Sequence, residues 1–272
     1  MGRKVIYIVA AVLVMFVVIN IFPFLWLVIT SFKTRMDTLT TVPKIFFEPT
    51  PSNYITAFSE RGFTIYLMNS LIIALGTTAL TILLAFPAAY TFSRMKLKGD
   101  NHMFFVILTT RMGPGVLVAV PIFLMFSSVG LWDTHFVVIL IHTAFNLAFA
   151  IWLIKGFIDD VPRDLDEAAW LDKLNPLKTA FKIIMPLCRP GIAITALFVF
   201  VMSWNEFLYA LLLTGNKAKT LPVAIAGLVT PHGTLWGQIA AVAVLTSVPV
   251  LLTAYLLQRY IVRGLTFGAV KG

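Results

Sequence analysis

Residues 160–186 form a polar stretch in which charged, small and aromatic side chains are spaced as a protein-docking element requires. Glu167 precedes two small residues, Ala168 and Ala169, which would let a partner's backbone approach closely. Trp170 follows them, and tryptophan is among the residues that contribute most binding energy at interfaces. The pattern predicts a docking site for a cytoplasmic partner. The alternative is an amphipathic segment that lies on a lipid surface.

Local signals divide this stretch into two short helices. Pro162 suits the first turn of one helix, and the acidic residues after it favour the positive end of the helix dipole. Asn175 is a good N-cap for the second helix, with Pro176 in its first position. Pro186 would end that helix. Apolar residues recur along it at the spacing of one helical face: Leu177, Phe181 and Ile184.

Several polar or aromatic residues lie inside apolar stretches, where they are costly unless they face a cavity or a partner. Amide, carboxylate and indole groups could contact a polar solute, and we predict four candidates for a solute pathway: Asn146, Trp204, Asn205 and Glu206. Each has a structural alternative, since Asn146 could bond between helices and Glu206 could form a structural ion pair. Arg111 could likewise satisfy backbone groups near Pro114, and His142 could be a packed core residue.

The sequence contains none of the common catalytic motifs. It has no G-x-x-x-x-G-K-[ST] phosphate loop, no H-E-x-x-H and no G-x-S-x-G. Cys188 is the single cysteine, which excludes an internal disulfide, and the four histidines do not have metal-ligand spacing. We therefore expect that the chain is not itself an enzyme and holds no metal or cofactor.

The composition is that of an integral membrane protein. Of the 272 residues, 59% are hydrophobic and 12% are charged. Soluble domains have about 45–50% apolar and about 25% charged residues. A disordered chain, a disulfide scaffold and most soluble enzymes are therefore excluded.

Six apolar stretches are long enough to cross a bilayer, which takes about 20 residues. These predicted spans are residues 5–30, 66–92, 103–126, 136–153, 192–213 and 236–257. The third carries Arg111 and is interrupted at Gly113–Pro114–Gly115, so we expect a kink there. The first is longer than the core of a signal peptide, which favours a retained anchor.

The basic residues predict the orientation of the spans. Fourteen of the 21 Lys and Arg residues fall in segments that lie on the same side as both termini. Because cytoplasmic loops carry the excess of basic residues, both termini are predicted to be cytoplasmic. Residues 31–65 would then be extracytoplasmic and residues 160–190 cytoplasmic. No linker or internal repeat is visible, so we expect a single domain over residues 1–272.

The polar stretch resembles the EAA loop of permease subunits of bacterial carbohydrate ABC importers. That loop reads E-A-A, three residues, Gly, nine residues, Ile, one residue, Leu-Pro. Here Glu167 begins the pattern, Lys173 stands at the glycine position, and Met185 stands at the leucine position before Pro186. With Lys173 at the glycine position, Asn175-Pro176 could set the bend instead. Further stretches are similar to the same family: residues 69–75, 87–94, 203–207 and 262–272.

The resemblance implies an all-α integral membrane protein with six transmembrane helices, cytoplasmic coupling helices and the type I ABC importer permease fold. The chain would form half of a pore for a sugar, polyol or sugar derivative in the bacterial inner membrane. Its partners would be a second, related permease subunit, two cytoplasmic ATPases that bind ATP, and an extracytoplasmic solute-binding protein.

The resemblance also implies roles for individual residues. Contact with the ATPases is expected at Glu167, Ala168, Ala169, Trp170, Leu171, Asp172 and Lys173. The C-terminal tail would contact the ATPases through Gly264, Thr266, Gly268 and Lys271. ATP-driven closure of the ATPases would switch the pore between inward-facing and outward-facing states.

A secondary transporter is the main alternative from another class of protein. Such a transporter should have intramembrane carboxylates for ion coupling and internal repeats. Glu206 is the one acidic residue in the predicted spans, and no repeat is visible. A membrane-embedded enzyme or a channel would need paired catalytic residues or a charged filter ring, and neither is seen.

Overall fold

The computed structural model describes residues 3–95, 98–111, 113–231 and 233–266. Most of these residues are helical, and two five-residue stretches, Thr56–Glu60 and Ala180–Ile184, are wound as π-helix. The α-helices are α1 (Arg3–Ser31), α2 (Arg35–Thr38), α3 (Ser52–Ile55), α4 (Phe63–Arg94), α5 (Asp100–Thr109), α6 (Gly115–Ser128), α7 (His135–Asp159), α8 (Asp164–Leu171), α9 (Pro176–Thr179), α10 (Met185–Leu187), α11 (Arg189–Trp204), α12 (Leu208–Leu213), α13 (Leu221–Ala226) and α14 (Trp236–Thr266). A short hairpin pairs β1 (Val229–Thr230) antiparallel with β2 (Gly233–Thr234).

Helices occupy all six predicted spans. Among the described residues, α1, α4, α7 and α14 are each long and apolar enough to cross a membrane as one helix. The third predicted span consists of α5 and α6, and the interruption lies where glycine and proline predicted it. The fifth consists of α11 and α12, separated by residues 205–207, and this second interruption was not predicted.

The chain divides into two compact units. The first runs to Leu67 and includes Ala224–Pro249, and the second includes Met68–Val223 and the chain from Val250. The expectation of a single domain over residues 1–272 stays a prediction. In the first unit, residues 4–25 of α1 are exposed, and residues 26–30 are partly buried.

Hydrogen bonds organise the first unit around the end of α1. A 2.7 Å hydrogen bond joins the hydroxyls of Ser31 and Tyr54. The Asn53 side-chain amide donates to the carbonyls of Ser31 and Lys33, at 2.9 and 2.7 Å. A Cβ on Gly237 would lie 2.6 Å from the Asn53 amide, so the close contact of α14 with Asn53 requires glycine.

The core of the second unit lies between α4, α7, α11 and the π-helical stretch before α10. Apolar residues on one face of each element are buried together there, among them Phe86, Ile151, Ile154, Ile184 and Val199. Burial of such side chains is worth about 1.5–3 kcal/mol each. This packing fixes α7 against α11 and supports the C-terminal parts of α4 and α7.

Asp133 holds the segment that follows α12. Its carboxylate accepts four backbone N–H groups at 2.7–3.0 Å, from Gly215, Asn216, Lys217 and Ala218. Burial raises the pKa of this carboxyl, but the four donors favour the charged form, and the pKa is lowered overall. The Asn69 amide donates to the carbonyls of Lys217 and Lys219, both at 2.9 Å, and thereby ties the same segment to α4.

Candidate functional site

The predicted docking stretch folds into two helical segments, as its local signals indicate. The first is α8. The second runs from Pro176 through the π-helical stretch to Leu187, and it meets α11 at an angle of 84°. The Asn175 side chain accepts a 2.8 Å hydrogen bond from the backbone N–H of Lys178, which confirms its predicted N-cap role.

Most of the candidate coupling residues on and after α8 are accessible. Glu167, Ala168, Asp172 and Lys173 are exposed. Two large apolar side chains are exposed as well, Trp170 at 43% and Leu171 at 84%. Ala169 is buried and faces the protein interior. Six of the seven candidates are therefore placed where a partner could contact them, and their role in coupling stays a prediction.

A tight turn ends α8 at the position where the family pattern has glycine. Lys173 has a φ of 61°, in the left-handed region. The N–H of Leu174 donates to the carbonyl of Ala169, and the N–H of Lys173 donates to that of Trp170, both at 3.0 Å. These two bonds form a Schellman motif. The turn is therefore made with lysine, and Asn175-Pro176 does not replace it but starts the next segment.

A buried ion pair joins α8 to α4. Arg94 Nε donates to Asp166 Oδ2 at 2.8 Å, and the two side chains are 3% and 2% exposed. The Tyr90 hydroxyl donates to the other carboxylate oxygen at 2.7 Å, and Arg94 also donates to the carbonyl of Val161. Sequence reasoning used Asp166 only as one of the acidic residues that favour the start of a helix, and it missed Asp166 as an anchor because its partners lie 72 and 76 residues away.

A second set of hydrogen bonds surrounds this anchor. Arg163 donates to the carbonyl of Ser93 at 3.1 Å, and the Ser93 hydroxyl donates to Asp159 at 2.6 Å. Asp159 also accepts from Lys155, one turn earlier on α7. The C-terminal ends of α4 and α7 and the start of α8 are therefore held together by charged and polar groups.

Two of the four solute-pathway candidates lie in the interior. Asn146 is 6% exposed, and its amide donates to the carbonyl of His142 in the preceding turn of the same helix. Trp204 is 1% exposed, and its ring stacks on Phe200 with 5.6 Å between centroids. Its indole N–H has no partner within the described parts of the chain. Asn205, by contrast, is exposed, and its amide donates to the carbonyl of Val201.

Glu206 caps the short helix that follows the second interruption. Its carboxylate accepts from the backbone N–H groups of Tyr209 at 2.9 Å and Ala210 at 3.0 Å. His142 Nε2 lies 3.0 Å from the same carboxylate, and its Nδ1 lies 2.8 Å from Ser203 Oγ. Glu206 and His142 are thus placed as their structural alternatives predict. The role of the four candidates as solute contacts stays a prediction.

The remaining candidates belong to the C-terminal tail. Gly264 and Thr266 lie in the last turn of α14, whereas Gly268 and Lys271 lie outside the described residues. Their contact with ATPases stays a prediction. In the described part of the chain, no group of three or more His, Cys, Asp or Glu side chains could hold a metal ion.

Two full-length relatives are transport permeases. The chain is 35% identical over 274 residues to the trehalose/maltose transport system permease protein MalG of Thermococcus litoralis. The aligned region covers 99% of this chain and 98% of that protein. It is also 35% identical over 274 residues to the sulfoquinovosyl glycerol transport system permease protein SmoH of Agrobacterium fabrum, covering 100% and 95%.

The fold is found in a solved transporter. A crystal structure of a bacterial ABC transporter involved in the import of the acidic polysaccharide alginate contains a similar chain. The TM-score is 0.78 at 22% identity, and the match covers 96% of this chain and 98% of that one. This match shows the predicted all-α permease fold.

A family match covers most of the chain and confirms the resemblance seen in the loop. The family described as "Binding-protein-dependent transport system inner membrane component" matches residues 81–267, which include the EAA-like loop and the last four predicted spans. Together with the two full-length relatives, this match identifies a multi-pass membrane subunit of an ABC importer. The chain therefore belongs to the family of binding-protein-dependent transport system inner membrane components.

Proposed function

We propose that the chain forms half of the translocation pathway of an ATP-driven importer for a sugar, polyol or sugar derivative. The observation that carries this proposal is the near full-length similarity to two permeases whose names specify trehalose/maltose and sulfoquinovosyl glycerol. Both names specify carbohydrate-containing solutes. The selectivity among such solutes would belong to the binding protein that delivers them.

The importer would contain a second, related permease subunit, two cytoplasmic ATPases and an extracytoplasmic solute-binding protein. ATP would bind to the ATPases, and this chain would hold no cofactor of its own. The exposed apolar surface of α1 supports a further membrane-embedded partner or lipid around it. The basic residues support cytoplasmic termini and a cytoplasmic α8.

Coupling would pass through α8. Its exposed residues offer a surface to the ATPases, and the Asp166–Arg94 pair holds α8 on α4. The second segment continues into α11, so a displaced loop acts on two membrane helices. Coupling requires that the ATPases bind the two pore conformations with different free energies. A rigidly anchored α8 meets this requirement because it moves with α4.

The decisive experiment is the ATPase activity of the affinity-purified complex in lipid, with and without candidate binding proteins loaded with sugars. We expect an associated ATPase whose activity rises with one loaded binding protein, which would also identify the solute. An intact, folded complex without any associated ATPase would refute the proposal and favour a secondary transporter.

Glu167→Lys tests the coupling surface directly. Because Glu167 is exposed, the substitution should leave the complex assembled. We expect solute uptake into proteoliposomes to fall about tenfold while ATP hydrolysis continues without stimulation, in line with typical coupling energies. Lys182→Glu, a charge reversal at an exposed residue of the second segment, is the control. Normal uptake by the Glu167→Lys complex would refute the assignment of the loop.

A further inference from the structure

A cavity of about 210 Å³ lies beside the end of α1, inside the first unit. The residues that line it include Trp26, Thr30, Lys33, Asp37 and Trp236. Nothing in the coupling mechanism uses this cavity. Its wall contains the positive charge of Lys33, for which the described part of the chain supplies no ion-pair partner.

Lys33 is only 3% exposed. Its ammonium lies 4.3 Å from the centroid of the Trp26 ring and 5.5 Å from that of Phe47. Within the described residues, the ammonium forms no ion pair or hydrogen bond. Aromatic faces offset only part of the cost of burying a cation, so the site favours an added anion.

Asp37 does not neutralise Lys33, although it lines the same cavity. Its carboxylate accepts from Lys44 Nζ at 2.7 Å and from the Thr34 hydroxyl at 2.7 Å. The Lys44 hydrogen bond, followed by that of Thr34, lowers the pKa of this partly buried carboxyl. Asp37 and Lys44 therefore form a separate pair, and the charge of Lys33 is left for a ligand.

The position of the cavity indicates where the anion comes from. α1 has 29 residues. At 1.5 Å per residue such a helix is about 43 Å long, against a hydrocarbon core of about 30 Å and about 40–45 Å with the headgroups. The end of α1 therefore reaches the headgroup layer, and Lys33 follows it by two residues. Tryptophan is enriched in the same layer.

We propose that this cavity binds the phosphate of a membrane phospholipid, with Lys33 as its counter-ion. The Thr30 hydroxyl and the indole N–H of Trp236 supply further donors. The rings of Trp26 and Trp236 contact the apolar part of the lipid next to the phosphate. This lipid site goes beyond the proposed import function and does not depend on which solute is carried.

Native mass spectrometry of the purified, delipidated complex tests the proposal. The probes are phosphatidylglycerol and a diglucosyl diacylglycerol with the same acyl chains but no phosphate. We expect phosphatidylglycerol to bind the wild-type complex, and Lys33→Gln to weaken that binding about tenfold. Arg35→Gln, which removes an exposed cation two residues along the chain, should leave the affinity unchanged. The glycolipid should bind weakly to all three proteins.

A second variant keeps the test decisive if Lys33→Gln does not fold. Trp236→Phe keeps an aromatic ring but removes the indole N–H, and we expect binding about tenfold weaker, as for one hydrogen bond to a charged group. Wild-type affinity in folded Lys33→Gln or Trp236→Phe would refute the proposal. Equal binding of the glycolipid would refute it as well. Displacement of the lipid by millimolar inorganic phosphate would reassign the site to soluble phosphate.

Discussion

At the scale of single residues, the side chain of Asp166 anchors α8 to α4. Both oxygens of its carboxylate are hydrogen-bonded, one to Tyr90 and one to Arg94, and the group is shielded from solvent. A buried charge pair contributes little beyond its desolvation cost when intact. Removal of one partner leaves an uncompensated charge, which costs about 3–5 kcal/mol.

Arg94→Met should therefore be strongly destabilising. The variant leaves the Asp166 carboxylate buried without its cation, and we expect the free energy of unfolding to fall by about 3–5 kcal/mol. Lys155→Met is the matched control, since its pair with Asp159 is partly exposed and should cost less than about 1 kcal/mol. Unfolding of both variants in mixed micelles measures the difference. Equal losses would show that the buried pair does not anchor α8.

Asp133 makes a pH-dependent contribution. Burial raises the pKa of its carboxyl, but four backbone donors outweigh burial and lower the pKa below its ordinary 3.8. Its stabilising effect is therefore complete above about pH 4 and is lost as the pH falls through the lowered folded pKa. Hydrogen exchange of the amides of residues 215–218, corrected for intrinsic rates, should show protection decreasing only in that acidic range.

Asp133→Asn separates this effect from other acid effects. Asparagine tolerates the φ of 60° at this position, so the backbone should be kept. We expect about tenfold lower protection of the four amides at neutral pH, with no further loss attributable to residue 133 in acid. Asp160→Asn, at an exposed residue between α7 and α8, should not change these amides. Unchanged protection in Asp133→Asn would contradict the prediction.

At the scale of elements, α7 and α11 approach each other closely at Gly191. A Cβ at this position would lie 2.2 Å from Cγ of Phe157, which is shorter than any real contact. A glycine here costs helix propensity, and the close packing of the two helices compensates for it. The position of α11 matters because residues 176–187, the second segment of the predicted docking stretch, lead directly into it.

Gly191→Ala should force these two helices apart. We expect a loss of about 1–3 kcal/mol in unfolding free energy from overpacking, with partial recovery in the Gly191→Ala/Phe157→Leu double variant. Gly156→Ala is the control on α7, because a Cβ there meets nothing within 4 Å. That change should be neutral or stabilising by up to about 1 kcal/mol. If the effects of Gly191→Ala and Phe157→Leu on the unfolding free energy simply added, the contact between these two positions would be contradicted.

The two interrupted spans differ in how far the sequence could predict them. Gly113 and Pro114 are strong local signals, and the break between α5 and α6 follows them. The break before α12 depends on Glu206, whose carboxylate caps the new helix in place of backbone bonds. Apolar residues flank Glu206 in the sequence, so hydropathy alone predicts one uninterrupted span here. The adjacent polar residues Asn205 and Glu206 were the sequence signal that could have indicated this break.

At the scale of the whole molecule, the distribution of basic residues predicts the orientation, and cysteine labelling can measure it. The native Cys188 is buried, which keeps background labelling low. Glu60 and Asp172 are exposed and lie on opposite sides of the predicted topology. In intact cells, a membrane-impermeant maleimide should label Glu60→Cys, whereas Asp172→Cys should need permeabilisation. The reverse pattern would invert the predicted topology.

Hydropathy and loop signals were sufficient for the helices, the interrupted third span and the two-segment docking stretch. Such features depend on residues close together in the chain, as with Asn175 and the N–H of Lys178. The contacts that position the site depend on residues far apart, as with Asp166 and Arg94. Lys173 shows a third case, because two local backbone hydrogen bonds close the turn with a lysine in a conformation that favours glycine.

The 84° angle between the second loop segment and α11 has a mechanical consequence. A push along the axis of residues 176–187 has almost no component along the axis of α11. Such a push therefore swings the near end of α11 sideways and does not slide the helix through the bilayer. A sideways swing keeps the apolar residues of α11 at nearly constant depth in the bilayer. This movement therefore needs no transfer of side chains between lipid and water.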